Sequence, residues 1–346
     1  MAILITGAAG FIGANLVRHL LERWPDEQVV SFDLLTYSGH LASLAEVLDR
    51  HTFIHGDIRD RDAVRAVFEG HSIDGVVHLA AESHVDRSIL DPLEFVETNV
   101  TGTVVLLQEA TRAWGDRTDV RFHHVSTDEV FGALGTQGVF TESTPYAPNS
   151  PYSASKAASD HFVRAWHETY GIPVVITNCS NNYGPYQYPE KLIPLAITRA
   201  LAGEAVPIYG DGSNVRDWLY VADHCDAVAL VYEQGEVGQT YCIGGESEVP
   251  NLHLVEMLLD ELDGARGLER GTSRPLIRFV TDRPGHDFRY AMGIDRIRAD
   301  LGWSPSVGLA DGLARTVRWY LANLDWMAHV QNDDHRVFHE TWYGGR

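Results

Sequence analysis

The chain has 346 residues, a formal net charge of −21 at pH 7 and a hydrophobic share of 45%. That is enough chain for one large domain or two modest ones with a sizeable core, and it is too apolar for a disordered polymer. So acidic a balance argues against a nucleic-acid or anionic-membrane surface, and no apolar run approaches the roughly 18 residues of a membrane span.

The amino terminus has no basic segment ahead of its first apolar residues and reaches glycine by Gly7. It reads as a strand entering a turn, not as a signal peptide. Strands are predicted over 2–6, 28–32, 52–55, 75–79, 120–126 and 174–178. Helices are predicted over 11–23, 41–48, 61–68, 99–113 and 152–170. Strands separated by helices make βαβ units, so the expected fold is α/β, a doubly wound parallel (Rossmann) sheet. After about 184 the elements shorten and proline and glycine become frequent. A smaller α/β substrate-binding region is expected over 184–213 and 246–330. A helix over 221–232 and a strand over 239–243 return the chain, over about 214–245, to the first domain of residues 1–183. The tail, 331–346, shows no clear periodicity. Cys179, Cys225 and Cys242 are scattered, odd in number and without CxxC spacing, so a reducing cytoplasm is expected. Of the 27 basic residues only two are lysines, Lys156 and Lys191, so each invites a functional question.

The first predicted strand runs into Gly7-Ala8-Ala9-Gly10-Phe11-Ile12-Gly13 and then a helix. Gly7 suits a tight turn, Gly10 a close backbone approach to a pyrophosphate, and Gly13 close helix–strand packing. The helix N-terminus then faces the phosphates. Asp33 ends the next strand, where an acid accepts hydrogen bonds from an adenosine ribose and repels a 2′-phosphate. The spacing therefore points to NAD over NADP, with Thr36 just beyond. Asp57-Ile58 stands where such folds meet the adenine, and Asp57 is equally a candidate cap for the following helix. Leu79-Ala80-Ala81 leaves the fourth strand beside the same cofactor, with Ser83 nearer the substrate and Thr98 a further cofactor contact.

The GxxGxxG spacing resembles the extended short-chain dehydrogenase/reductase family, whose Tyr-xxx-Lys is supplied by Tyr152 and Lys156. Spacing of four puts both side chains on one helix face. An ammonium beside the phenol is expected to lower its pKa, so that the phenolate takes a proton from a substrate hydroxyl as hydride leaves. Asp128-Glu129 follows the fifth strand, at the edge where open α/β sheets bind ligands. Two adjacent carboxyl groups in a closed site do not both ionise easily, so an acid and a base stand side by side. The plainer alternative is an acidic first turn of a helix.

STDEVFG, PYSASKAASDH, NNYGPYQYPEKLIP and DRPGHDFRY, in that order, resemble the dTDP-glucose 4,6-dehydratase family from Met1 to about Leu324. Phe131 replaces the tyrosine usual there. Related epimerases typically carry small residues at the two acidic positions, and GDP-mannose dehydratases and UDP-glucuronate decarboxylases usually have serine before the glutamate. The resemblance implies tightly held NAD and three steps. Tyr152 deprotonates the glucose C4 hydroxyl, with Thr127 bound to that oxygen. Glu129 removes the C5 proton while protonated Asp128 helps the C6 hydroxyl leave. Hydride then returns to C6. It also implies that Asn181, Lys191 and Leu192 meet the substrate and Asn182 the cofactor. Arg216, Arg283 and His286 would bind the diphosphate, and Pro207, Ile208, Tyr209 and Asn251 the base and deoxyribose. Asn251 could equally cap a helix, and Arg283 could be a loop salt bridge. The family's long helices imply a homodimer. Seventeen histidines supply no convergent ligand set, so no metal is expected. Two other readings compete: another sugar-nucleotide dehydratase or a 4-epimerase acting on a UDP-sugar, and a non-catalytic dinucleotide-sensing Rossmann protein. The acid pair counts against the first, and retention of both Tyr152 and Lys156 against the second.

Overall fold

A computed structural model describes residues 1–331; the predicted tail beyond Gln331 lies outside the described residues. The chain alternates β1 (Ala2–Thr6), α1 (Phe11–Arg23), β2 (Gln28–Asp33), β3 (Thr52–His55), α2 (Arg61–His71) and β4 (Gly75–His78). Two short helices follow, α3 (Val85–Leu90) and α4 (Pro92–Phe95), then α5 (Gly102–Trp114), β5 (Arg121–Thr127), α6 (Pro151–Tyr170) and β6 (Val174–Cys179). These strands, with β10 (Thr240–Ile243) at one edge, form a seven-stranded sheet in the order β10-β6-β5-β4-β1-β2-β3. Every pairing in it is parallel. All five residues of β1 are buried, as expected of a strand with helices on both faces. Phe68, Trp114 and Phe122 fill one face of the sheet; Leu16, Leu20, Val228 and Tyr232 fill the other.

The smaller region is built from β7 (Asn181–Tyr183), α7 (Leu192–Ala202), β8 (Val206–Tyr209) and β9 (Val215–Tyr220). After α8 (Val221–Gln234) and β10 it adds β11 (Glu248–Pro250), α9 (Asn251–Ala265), β12 (Ile277–Val280), α10 (Asp295–Leu301), α11 (Leu309–Ala322) and α12 (Leu324–Val330). Strand β9 pairs with β7 and β11, and β8 with β12. α7, α9 and α11 close over Tyr183, Leu258 and Val317 as a core of their own.

Local chemistry explains most boundaries. Ser150 and Ser153 form a capping box at the start of α6, Pro151 occupies its first turn, and Gly171 ends it at φ +71°. α2 is capped by Asp60, whose side chain accepts from the N–H groups of Asp62 and Ala63. Asp57 is therefore not the cap: it is bound to Arg59 at 2.8 Å. The predicted helix over 41–48 is a 3-10 helix, Leu41–Val47. The helix expected from 99 begins earlier, as a π turn over Val96–Thr101. Buried Asn99 within it holds the backbone N–H and C=O of Glu82 and the hydroxyl of Ser155. Such a widened turn arises from tertiary hydrogen bonds, which periodicity does not carry.

One buried acid ties two helices together. Glu109 on α5 is fully buried and binds Arg61 and Arg65 of α2 and Arg112 of its own helix. Burial pushes its pKa up, but hydrogen bonds from Arg65, Arg61 and Arg112 outweigh that and hold it at about 2. A lowered carboxylate pKa contributes stability that is present above the unfolded value and lost as pH falls through the folded one. Glu109→Gln is expected to lower stability by about 1–2 kcal/mol at neutral pH. Denaturant melts of both proteins at several pH values should show that gap narrowing below the ordinary glutamate value of 4.5.

Candidate active site

The carboxyl ends of β1, β2, β4, β5 and β6 open into a cleft of about 300 Å³. Its position is the crevice where strand order reverses between β1 and β4. At one end Gly7 sits at φ +70°, and a side chain there would come within 2.6 Å of the Ala80 nitrogen. A side chain at Gly13 would overlap the Gly7 carbonyl oxygen. Gly10 caps α1 with no side-chain bond, so the first N–H groups of this helix are left for an anion. Asp33 accepts from the N–H groups of Ala9 at 2.9 Å and Leu35 at 2.8 Å, tying the glycine loop to the end of β2. Burial raises its pKa, and those two backbone bonds lower it. Phe11, Ile12, Thr36, Asp57, Ile58, Leu79, Ala80, Ala81 and Thr98 line the same space. A glycine cradle, an open helix end and a carboxylate at the strand end fit a dinucleotide without a 2′-phosphate.

The middle of the cleft brings together Thr127, Asp128, Glu129, Tyr152 and Lys156. Thr127 ends β5 and caps the short 3-10 turn Asp128–Phe131, accepting from the Glu129 N–H. Its hydroxyl also donates to Asp128 at 3.2 Å. Asp128 is 2% exposed, and its second oxygen has no hydrogen-bond partner among the described residues. Burial first, and the neighbouring Glu129 second, raise the Asp128 pKa well above the ordinary carboxylate range. Burial raises Glu129 too, a shift that Arg283, Lys191 and Arg216 oppose without reversing. The pair is thus split by environment: a protonated acid at Asp128 beside the carboxyl group that the cations favour as an anion.

Tyr152 departs from expectation. Its pKa is raised, by burial first and then by Glu129. Lys156 does not offset this, because its ammonium donates to the Val125 carbonyl at 2.9 Å and lies 3.5 Å from His124 Nε2. Both side chains lie on one face of α6 and line the cleft, as the spacing required.

Ser83, Asn181, Asn182 and Lys191 complete the lining, with Lys191 Nζ donating to the Ser83 carbonyl at 2.9 Å. The other predicted substrate residues stand outside that lining. Arg216 donates to the Asp287 carbonyl at 3.0 Å and lies 4.3 Å over the Tyr290 ring. Arg283 and Tyr209 both reach buried Asp86, at 3.4 and 2.9 Å, and Tyr209 meets the edge of the His286 ring. Pro207 lies on β8 and Leu192 opens α7. Ile208 turns its side chain into the small region's core. Asn251 is the first residue of α9 and not its cap, and its Oδ1 is buried without a hydrogen-bond partner among the described residues.

Sequence reasoning passed over Asp86, Cys179 and Glu190 as site residues. The last two line the cleft with Glu82, which belongs to the run after β4 expected beside the cofactor and is raised to about 7 chiefly by burial. Asp86 had no signal, because the clasp it makes joins residues 86, 209 and 283. Among the described residues no His/Cys/Asp/Glu group could hold a metal ion, and no helix is long and apolar enough to cross a membrane.

A family model described as GDP-mannose 4,6 dehydratase matches residues 4–316. A dTDP-glucose 4,6-dehydratase of Shigella flexneri is 51% identical, with the whole of both chains covered. One from Xanthomonas campestris is 52% identical over 96% of this chain and 97% of its own. A crystal structure of the Streptomyces venezuelae dTDP-glucose 4,6-dehydratase with NAD and dTDP bound superposes at TM-score 0.88 and 50% identity. It covers 95% of this chain and all of that one. UDP-glucose 4-epimerase of Thermotoga maritima shares the fold at TM-score 0.84 and 29% identity, over 94% of this chain and all of its own.

Asp33→Ala removes the acceptor for two backbone N–H groups as well as the proposed ribose contact. Dinucleotide affinity measured by calorimetry is expected to fall at least about tenfold. Unchanged affinity would remove Asp33 from the site.

Proposed function

The chain belongs to the dTDP-glucose 4,6-dehydratase family, and from that premise we propose how its own residues divide the reaction. It is an NAD-dependent hydro-lyase that converts dTDP-glucose to dTDP-4-keto-6-deoxyglucose and water. The observation that carries the division of labour is the Asp128–Glu129 pair beside Tyr152, with Asp128 buried and Glu129 half-buried. An epimerase needs no acid–base pair at that place; an elimination of water does.

NAD supplies, when bound, the acceptor for the C4 hydride and its donor to C6, and ends unchanged. Gly7, Gly10, Gly13, Asp33 and the open end of α1 hold it. Tyr152 takes the C4 hydroxyl proton while Thr127 orients that oxygen. The resulting ketone acidifies C5, and Glu129, the more easily ionised of the pair, removes the C5 proton. Asp128, held protonated by burial and by Glu129, gives its proton to the departing C6 hydroxyl, so that water leaves, and C5 takes a proton back as C6 is reduced. Lys191, Arg216, Arg283 and His286 bind the diphosphate; arginine's planar fork suits phosphate oxygens. Pro207, Tyr209 and Asn251 contact the nucleoside, with Ile208 acting through its backbone.

We assign 1–180 to the dinucleotide region, which α8 and β10 rejoin, and 181–220 with 246–330 to the sugar-nucleotide region, because β7 and β9 pair in the smaller sheet and move the boundaries from the expected 183 and 214. We also propose a cytoplasmic homodimer. Exposed Leu93, Val96, Phe162 and Tyr170 along α4, the π turn and α6 support self-association. Light scattering should give twice the chain mass, and a monomer would overturn it.

A keto-sugar assay with dTDP-glucose and no added NAD tests reaction and retained cofactor together, with UDP-glucose as the competing substrate. In D2O the product should gain one deuterium at C5, and a C4-deuterated substrate should carry its label to C6; loss of that label to solvent would exclude internal return. Asp128→Asn and Glu129→Gln should each lower kcat about 10²–10³-fold, with little change in substrate affinity. Because Asp128 acts protonated, kcat should fall as pH rises through its elevated pKa, and Asp128→Asn should lose that basic limb.

A further inference from the structure

Behind Tyr152 and Lys156 lies a group of buried polar side chains that this chemistry leaves unused. Asp160 stands one turn beyond Lys156 on α6 and is 2% exposed. One of its oxygens, Oδ2, accepts from the Ser126 hydroxyl at 2.8 Å, the Tyr146 hydroxyl at 2.8 Å and the Asn178 amide at 3.3 Å. The other, Oδ1, lies 3.1 Å from His124 Nε2, and the same nitrogen lies 3.5 Å from Lys156 Nζ. Strand β5, strand β6, the loop before α6 and α6 itself thus all converge on one carboxylate.

Burial pushes the Asp160 pKa up, but His124, Lys156 and the Ser126 hydroxyl outweigh it and hold the group below the ordinary range. Asp160 is therefore a fixed negative charge. The other titratable groups around Lys156 are neutral at pH 7. Burial and the Lys156 charge hold His124 at about 4. His78 on β4, whose ring centroid is 5.2 Å from that of His124, is lowered by burial as well. On β6, burial raises the Cys179 thiol to about 12. Tyr152 is raised, and Asp128 and Glu129 act on Tyr152. Burial lowers the Lys156 pKa, and Asp160 is the first of the groups that raise it.

We infer that Asp160 is a positioning residue for the oxidation step: beside His124 Nε2, which both groups approach, it supplies the counter-charge that keeps the Lys156 ammonium protonated where its side chain lines the cleft. An ammonium so deeply buried gives up its proton when no anion offsets the lost hydration. The three donors on Oδ2 stop Asp160 from turning away or taking a proton itself. The inference rests on the Tyr152–Lys156 assignment above.

The two-lysine composition provides a direct readout. Lysine labelled with carbon-13 at Cε gives two side-chain signals, and Lys156→Arg assigns them. In the NAD-bound wild type, Lys156 should remain an ammonium to at least about pH 8, and in Asp160→Asn its titration should move down by about one unit. In single turnover, the basic limb of reduced-cofactor formation, the oxidation step in which Asp128 takes no part, should move by the same amount, about a tenfold loss on the alkaline side, with KM for dTDP-glucose within about threefold. A variant in which that rate drops uniformly with an unshifted profile would leave Asp160 as a strand–helix tie and overturn the inference. A wild-type Lys156 already neutral at about pH 7 would overturn it too, whether or not the variant folds. A wild type that makes no keto sugar would instead remove the functional reading, while the lysine titration still judges this one.

Discussion

Two carboxyl groups on consecutive residues, closed off from water, cannot both hold a charge unless cations offset them. That constraint at Asp128 and Glu129 organises the rest of the molecule. Thr127 ends β5 and turns the chain so that both acids enter the cleft instead of solvent. The cations that favour ionised Glu129 come from residues 191, 216 and 283, all in the smaller region. The acid–base asymmetry therefore exists only when that region is seated on the large sheet. Asp86 helps to seat it, since it reaches from α3 to Tyr209 and Arg283.

The same logic reconciles an acidic protein with an anionic substrate. The net charge of −21 is spread over the chain, whereas the diphosphate site needs positive charge at one place. Arg216 and Arg283 are largely buried and so are not screened by bulk salt as surface charges are. Their guanidinium groups are held by backbone carbonyls, by Tyr290 and by Asp86, ready for an anion before it arrives. Lys191, one of only two lysines, is fastened to the Ser83 carbonyl beside them.

Local patterns reported what depends on neighbours in the chain. Apolar runs and glycine spacing located all six strands predicted for the first half of the chain within a residue or two, and the limits of α1 without error. The helix predicted from Tyr152 starts one residue earlier, at Pro151, so the Tyr152–Lys156 face was readable from the spacing of four. Short helices α3 and α4 escaped, the π turn around Asn99 moved a predicted helix start, and the helix expected over 41–48 was located without its 3-10 type. Asp57 and Asp60 both suit a helix start, and only the observed hydrogen bonds distinguish them.

Residue type and spacing alone determined the α/β class, the dinucleotide loop, the phenol–lysine pair and the adjacent acids, because all of these are short-range patterns. Tertiary structure alone showed the burial that sets Asp128 apart, that Lys156 turns to Val125 and His124 instead of Tyr152, and that Asp86 and Asp160 belong to the site at all. Those outcomes depend on burial and on charges brought from positions up to about 200 residues away, and neither quantity exists until the chain has folded.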